Sequence, residues 1–448
     1  MAGHLEGATQ VAVARKPMVK VEDVAKVRRW WLRAVTALTF SQLVASQTLL
    51  CVPGWSILSF LLALALACLL AWGAYEKHWE LRLGKWVGLP AAFVAYCLLR
   101  AFSGVEGAEP WNVVAQLVSS FIGGISVAGA LEVGVRFRVL GYAILTNGLV
   151  QFLLWQSGWA PDISVPSDAT RFFGTTGNAN ELAAQLTMGA CLIWLMPRRS
   201  GLWPCLGAFG LVVFAVGVTG SREGLLITAF FLILVLFQGF SMVPKKRRRL
   251  FLALVVAVPC GLGLVAVPLV ANQALEILSV RRAMAGEDSS SQTRAEMVSE
   301  GFQLWKNAPV FGNGLDSFRG MSGQDTYSHN TYVELLCDTG FLGAALYYSM
   351  YVLVGVRTRR LPRSLWYATW LFVAMLLAAD IAQVSYQRKQ SVMILMVLLM
   401  ATRSSRYAMP ARNSREKKHP APKGRLAERL AGAKKRLTMR PRRFITGS

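Results

Sequence analysis

The side chains best suited to chemistry in this sequence are one histidine and several arginines near the beginnings of apolar segments. His329 directly precedes an apolar segment, and imidazole is the commonest general base because its ordinary pKa lies near neutrality. Arg222 and Arg388 begin two other apolar segments, and Arg294 lies in the polar stretch ahead of His329. Since a guanidinium binds phosphate through a planar fork, these residues predict a proton acceptor beside a site for a multiply charged anion.

The composition indicates which elements must position these residues. Of the 448 residues, 54% are hydrophobic and only 16% are charged, and the mean hydropathy is +0.42. A soluble domain carries about 25% charged residues, so a soluble globular protein is excluded, as are a disordered chain and a fibre. A bilayer-spanning helix needs about 20 apolar residues, and such runs predict an all-α, polytopic membrane helix bundle of about twelve transmembrane helices. The runs lie near residues 30–50, 55–74, 87–103, 111–131, 138–158, 179–196, 202–219, 222–242, 250–272, 331–356, 364–385 and 387–403.

The basic residues predict how the bundle is oriented in the membrane. With the N-terminus inside, the inner loops hold sixteen Lys and Arg residues, whereas the short outer loops hold four. Residues 404–448 add fourteen Lys and Arg residues against two Glu. Because positive residues favour the cytoplasmic side, we expect both termini to be cytoplasmic. The net charge of +24 is then explained by membrane topology, and no nucleic-acid partner is expected.

The segments between the apolar runs predict the domain organisation. A long outer loop contains Ala295, Val298, Phe302 and Trp305 at helical spacing, which predicts an amphipathic helix on the membrane surface or across the mouth of the bundle. Pro309 and the glycines after it predict a turn. The predicted domains are a cytoplasmic tail at 1–28, transmembrane helices 1–9 at 29–272, a periplasmic loop at 273–330, transmembrane helices 10–12 at 331–403 and a basic cytoplasmic tail at 404–448.

Polar clusters mark the outer ends of four predicted helices. Each cluster directs the free amide groups and the positive dipole end of a helix toward the outer face. Together with the arginines, among which Arg100 is a further candidate, they predict an outer mouth that binds a multiply charged anion such as a diphosphate. The clusters occupy residues 171–181, 219–224, 328–334 and 386–390.

The candidate site is drawn from these clusters. His329 is the only histidine that the predicted topology places on the outer face, so it is the candidate proton acceptor, and Tyr332 and Glu334 lie close enough in sequence to orient it. Structural roles stay open: Asn180, Ser221 and Asn330 suit helix N-caps, Thr331 with Glu334 suits a capping box, and arginines at a membrane edge often reach lipid headgroups. The catalytic candidates are His329, Arg222 and Arg294, and the substrate-binding candidates are Arg388, Arg281, Arg282, Asn180, Asn330, Tyr332 and Glu334.

Several common chemical signatures are absent from the sequence. It contains no GxxxxGK[ST] phosphate loop, no Asp-x-Asp pair for a metal-bound nucleotide sugar, and no His/Cys spacing typical of a zinc site. Its seven cysteines are odd in number and include no Cys-x-x-Cys pair. We therefore expect no metal and no cofactor, and a reaction on the outer face with an anionic leaving group.

The histidine motif resembles that of the O-antigen ligase and O-antigen polymerase superfamily of bacterial inner-membrane glycosyltransferases. The outer motif of this family is His, then Asn, Ser or Gln, nine residues, Gly, two residues and a second small residue. His329-Asn330, Gly340 and Gly343 match it in full. The stretch from Arg294 to Gly314 is similar to the family's loop segment ahead of that histidine.

Two further segments extend the resemblance over roughly residues 170–400. Thr219-Gly220-Ser221-Arg222 is similar to the family's arginine motif at an outer helix start. Residues 177–183 are similar to a region where many relatives carry Asn-Pro-Asn, with Ala179 in place of the proline. Glu223 after the arginine and the long basic tail are departures from the family pattern.

The resemblance implies a periplasmic transfer of a glycan from undecaprenyl diphosphate to an acceptor hydroxyl, without metal or ATP. His329 would accept the hydroxyl's proton as the oxygen attacks the anomeric carbon with inversion, and Arg222 and Arg294 would hold the departing diphosphate. The expected partners are the lipid-linked glycan donor, a glycan or glycolipid acceptor such as lipid A–core oligosaccharide, and membrane lipids.

Other functions stay open at this point. A repeat polymerase of the same superfamily would use a second lipid-linked repeat as acceptor. A transporter of lipid-linked sugars would place its charges near mid-membrane at broken helices, whereas here they lie at outer helix ends, which favours an enzyme. A non-catalytic scaffold of a polysaccharide assembly complex would not need His329.

Overall fold

The computed structural model describes residues 21–48, 55–76, 86–157, 179–194, 289–324 and 326–403, and the single positions 224, 227, 230, 233 and 246. Within these residues the chain forms helices joined by turns and loops, without a strand, in agreement with the predicted all-α class. Numbered in chain order, the helices are α1 Val21–Thr48, α2 Trp55–Tyr75, α3 Gly88–Ala101, α4 Pro110–Val133, α5 Phe137–Gln156, α6 Ala179–Trp194, α7 Ser289–Trp305, α8 Ser317–Met321, α9 Thr331–Arg357, α10 Arg363–Ala382 and α11 Lys389–Arg403.

Nine of the predicted transmembrane segments fall on described helices, namely α1 to α6 and α9 to α11. Within the described ranges, four stretches are long and apolar enough to cross a membrane: Ile57–Tyr75, Pro110–Val133, Thr331–Arg360 and Leu365–Ala382. The predicted segments near 202–219, 222–242 and 250–272 lie almost wholly outside the described residues, as does the predicted tail at 404–448. Residues 21–28 of the predicted N-terminal tail form the first turns of α1. The total of about twelve transmembrane helices therefore stays a prediction.

The centre of the described bundle is the packing of α4 against α11. Almost every side chain of α11 from Gln390 to Met400 is buried, as expected of a helix that is apolar on all sides. Gly124 of α4 permits close approach, since a Cβ there would lie 2.9 Å from Cγ of Met396. Small residues at such crossings let helix backbones approach each other in membrane proteins. This packing fixes the start of α11 and, with it, the position of Arg388.

The helix predicted in the long outer loop is present as α7, but its packed face differs from the apolar stripe in the sequence. Met297 is buried, and Gly301 lies directly against Val333 at the start of α9. Ala295 and Phe302, which belong to the predicted stripe, are exposed. Because Gly301 has no side chain, α7 can approach α9 on that face, whereas Phe302 is left exposed and Val298 and Trp305 are only half-buried.

α9 is broken at Gly340, whose φ of 65° and ψ of −170° lie outside the helical region. The turn predicted after Pro309 enters this break and bonds to it through main-chain atoms. The amide of Phe341 donates to the carbonyl of Pro309 at 2.9 Å, and the amide of Asn313 donates to that of Cys337 at 2.8 Å. Broken helices near mid-membrane are typical of transporters. In this protein the main chain of the turn after Pro309 fills the break in α9.

Two side chains of α3 hold the same turn. The hydroxyl of Tyr96 donates to the carbonyl oxygens of Thr339 at 2.9 Å and Phe311 at 3.2 Å. Arg100 donates from Nη2 to the carbonyl of Gly312 at 2.8 Å. Arg100, a candidate cation of the outer mouth, therefore contacts the main chain of this turn, which leads toward His329.

Candidate functional site

His329 stands immediately before α9 with a φ of 56°, in the left-handed region that few residues other than glycine adopt. Asn330 follows it as the helix N-cap, and its Oδ1 accepts a hydrogen bond from the amide of Val333 at 3.1 Å. Nδ2 of Asn330 donates to the carbonyl of Ile381 at 3.1 Å, near the end of α10. The predicted N-cap at Asn330 is confirmed, and it fixes the direction in which the imidazole leaves the helix.

The imidazole of His329 packs on an aromatic ring and is largely desolvated. Its centroid lies 4.3 Å from that of Tyr327. Nδ1 is buried and has no hydrogen-bond partner within the described part of the chain. Burial, followed by the positive charges of Arg294 and Arg388, lowers the pKa of His329 from its ordinary 6.5 to about 4. The ring is therefore neutral at neutral pH, which is the state required of a proton acceptor.

Arg388 joins three of the four predicted polar clusters. Its Cζ lies 5.8 Å from the centroid of the Tyr327 ring, within cation–π range, and Tyr327 in turn contacts His329. Nη1 of Arg388 lies 3.3 Å from Oε2 of Glu181, in the first turn of α6. The structure thus brings Glu181, the last residue of the cluster at 171–181, together with the clusters at 328–334 and 386–390. Tyr327 and Glu181 are not among the candidate site residues predicted from the sequence.

The other candidate arginines differ in what the structure shows of them. Arg294 lies half-buried on α7, and its charge is close enough to His329 to lower the pKa of that histidine. Arg222, Arg281 and Arg282 lie outside the described residues, so their roles stay predictions. Among the described residues, no group of three or more His, Cys, Asp and Glu side chains is placed to hold a metal ion.

Tyr332 and Glu334 contact other parts of the protein and do not bond to the imidazole. The hydroxyl of Tyr332 donates to the carbonyl of Leu377 at 3.0 Å. The buried carboxylate of Glu334 accepts from the amide of Ser328 at 2.7 Å, so it acts on His329 only through the main chain. Asn180 lies inside α6, one residue from its first residue, rather than ahead of it. Substrate contacts of these three residues stay predictions.

A buried polar network lies beneath the start of α9. The carboxylate of Asp380 accepts hydrogen bonds from the hydroxyls of Ser385 and Tyr348. The hydroxyl of Thr331 donates to the carbonyl of Gln383 at 2.7 Å and accepts from the amide of Ser385 at 2.8 Å. The predicted capping box is therefore wrong: the cap is Asn330, and Thr331 instead ties α9 to the loop between α10 and α11.

Another buried carboxylate, that of Asp338 in α9, holds the start of α8 to the bundle. It accepts from the amide of Asp316 at 2.9 Å, the hydroxyl of Ser317 at 3.0 Å, the amide of Phe318 at 3.3 Å and the hydroxyl of Tyr386 at 3.3 Å. Asp338 is not among the candidate residues predicted from the sequence. The available signal was an acidic side chain inside a predicted transmembrane segment, where such residues are rare and have a role.

Together, these features define a helical membrane protein in which α7 and the broken helix α9 hold a neutral histidine beside two arginines. Residues 206–348 match the sequence model of a family described as O-Antigen ligase, and this range includes α7, the His329 motif and Gly340. This match supports the resemblance to the O-antigen ligase superfamily over that segment of the chain. A comparison with curated proteins finds no match.

Proposed function

We propose that the protein is a glycosyltransferase that moves a glycan from undecaprenyl diphosphate to an acceptor hydroxyl of lipid A–core oligosaccharide or a similar glycan. In this proposal it lies in the bacterial inner membrane with both termini cytoplasmic and the site periplasmic. The supporting observation is the neutral imidazole of His329 beside the charges of Arg294 and Arg388. A glycosyl transfer needs a proton acceptor and groups that stabilise an anionic leaving group, and both lie together here.

The proposed step is a direct displacement at the anomeric carbon. The acceptor oxygen forms a bond to that carbon, and the hydroxyl proton passes to an imidazole nitrogen of His329. The bond between the anomeric carbon and the diphosphate oxygen breaks, and its electron pair stays on the diphosphate. The configuration at the anomeric carbon inverts. The imidazolium returns its proton to water, and undecaprenyl diphosphate leaves.

Each side chain contributes a separate part of the rate. A positioned base contributes about 10²- to 10⁴-fold, and one preorganised donor to a developing negative charge contributes about 3–4 kcal/mol. We assign the base to His329 and the leaving-group contacts to Arg294 and Arg388. Arg388 takes a larger part than the sequence suggested, because it shares the Tyr327 ring with His329. Arg222, Arg281 and Arg282 are proposed as further diphosphate contacts.

A transfer assay tests the proposal. Purified protein in detergent receives a lipid-linked glycan and candidate acceptors, with EDTA and without ATP. We expect transfer by the wild type and a loss of about 10²- to 10⁴-fold in His329→Ala. Glu106→Gln, which alters an exposed carboxylate in the loop after α3, is the control and should transfer normally.

The product separates the alternatives. A single capped acceptor supports a ligase, and a ladder of lengthening chains supports the polymerase of the same superfamily. Full activity of His329→Ala contradicts the base assignment. No transfer with any acceptor, together with passage of the glycolipid across proteoliposome membranes, contradicts the enzyme and supports a transporter.

A further inference from the structure

The ion pair between Glu181 and Arg388 lies within the candidate site, and the proposed mechanism does not use it. The carboxylate is 3.3 Å from Nη1 of Arg388, and its side chain is only 9% exposed. Nε of Arg388 is buried and has no hydrogen-bond partner within the described part of the chain. The guanidinium thus lies in ion-pair distance of a protein carboxylate and keeps one buried N–H without a partner among the described residues.

A carboxylate and a phosphate compete for the same guanidinium charge. A phosphate bound to Arg388 would lie close to the Glu181 carboxylate, and the two negative groups would repel each other. In the substrate-free protein Glu181 supplies the counter-charge that a largely buried cation needs. When a diphosphate binds, its charge neutralises Arg388 and the ion pair between Glu181 and Arg388 breaks. When the diphosphate leaves, the carboxylate is close enough to replace it.

We propose that Glu181 is an internal counter-ion of Arg388 that the diphosphate group displaces, and that this competition weakens the binding of the polyprenyl diphosphate product so that it is released. The inference rests on the proposed function, because it takes Arg388 as a diphosphate contact. It gives Glu181 a role in product release.

Substitution of Glu181 by Gln tests the competition, because glutamine keeps the size and one acceptor oxygen but carries no charge. The probes are inorganic pyrophosphate and undecaprenyl diphosphate, each measured as an inhibitor of transfer. Pyrophosphate is also measured by the shift in Tm that it causes. Without the competing carboxylate, we expect the inhibition constants to fall about tenfold and the Tm shift to increase. Glu106→Gln removes an exposed carboxylate and should leave both values unchanged.

The contrary results are separable. Unchanged or raised inhibition constants in Glu181→Gln, with Arg388→Gln weakening pyrophosphate binding, overturn the counter-ion role and leave the proposed function intact. If pyrophosphate shifts the Tm of Arg388→Gln as much as that of the wild type, Arg388 does not contact the diphosphate. That result contradicts the inference as well. Should Glu181→Gln fail to fold, Glu181→Asp keeps the charge on a shorter side chain. It should tighten pyrophosphate binding by less than tenfold, and weaker or unchanged binding in it overturns the inference.

Discussion

Gly340 in α9 lies so close to Val310 that a Cβ on the glycine would come within 2.5 Å of the Val310 carbonyl carbon. The φ of Gly340 is 65°, a conformation that L side chains rarely adopt. The second fixed residue of the histidine motif is therefore a packing residue. It lets the turn after α7 enter the break in α9, and this contact sets the path of the chain that leads to His329.

Gly340→Ala should destabilise the protein. The methyl group meets main-chain atoms that cannot move aside, and the backbone is strained, so we expect a loss of about 2–4 kcal/mol in the free energy of unfolding. Gly88→Ala is the matched control, because a Cβ at Gly88 has no heavy atom within 4 Å. Thermal unfolding in detergent measures both variants. Equal Tm values for the two would contradict the packing role.

Asp338→Asn should release the outer loop from the bundle. The amide nitrogen of asparagine would face donors that now bond to a carboxylate oxygen, and each buried donor left unpaired costs about 1–3 kcal/mol. We expect faster hydrogen exchange and proteolysis in residues 315–321, together with a lower Tm. Glu296→Gln, an exposed change on α7, is the control. Protection equal to that of the wild type would show that the carboxylate is dispensable for docking.

The local parts of this fold and site follow from the sequence, and the long-range contacts do not. Hydropathy places the start of α9, and residue type singles out His329, because both depend on neighbours in the chain. Glu181 reaches Arg388 from a helix some 200 residues earlier, and periodicity carries no information about such a partner. The packed face of α7 was missed because the deciding residue, Gly301, contributes no hydrophobicity, only room for Val333.

Tyr327 should act as a positioning residue through its ring. The face contacts with His329 and Arg388 are each worth about 0.5–2 kcal/mol. Tyr327→Leu removes both contacts, and we expect kcat/KM to fall about tenfold or more. Tyr327→Phe keeps the ring and should retain most of the activity. Steady-state transfer kinetics distinguish the two, and an equal loss in both variants would assign the role to the hydroxyl instead.

The acid limb of the transfer reaction should report the pKa of His329. Activity requires the neutral imidazole, so a pKa of about 4 predicts that kcat/KM, which reflects the free enzyme, stays level as the pH falls to 5 and is lost through pH 4. Bound diphosphate offsets the charges of Arg294 and Arg388 and raises the pKa of His329. The acid limb of kcat should therefore lie at a higher pH than that of kcat/KM.

Removing one of the two charges tests the cause of this shift. Arg294→Gln should raise the pKa of His329 and move the acid limb of kcat/KM upward, yet keep it below 6.5 because burial is the larger cause. Lys306→Gln, which removes an exposed cation just beyond α7, should leave the limb in place. The transfer rates of the wild type and of both variants are measured between pH 3.5 and 8. An acid limb near 6.5 in the wild type, or one that does not move in Arg294→Gln, would contradict the electrostatic coupling between His329 and the arginine.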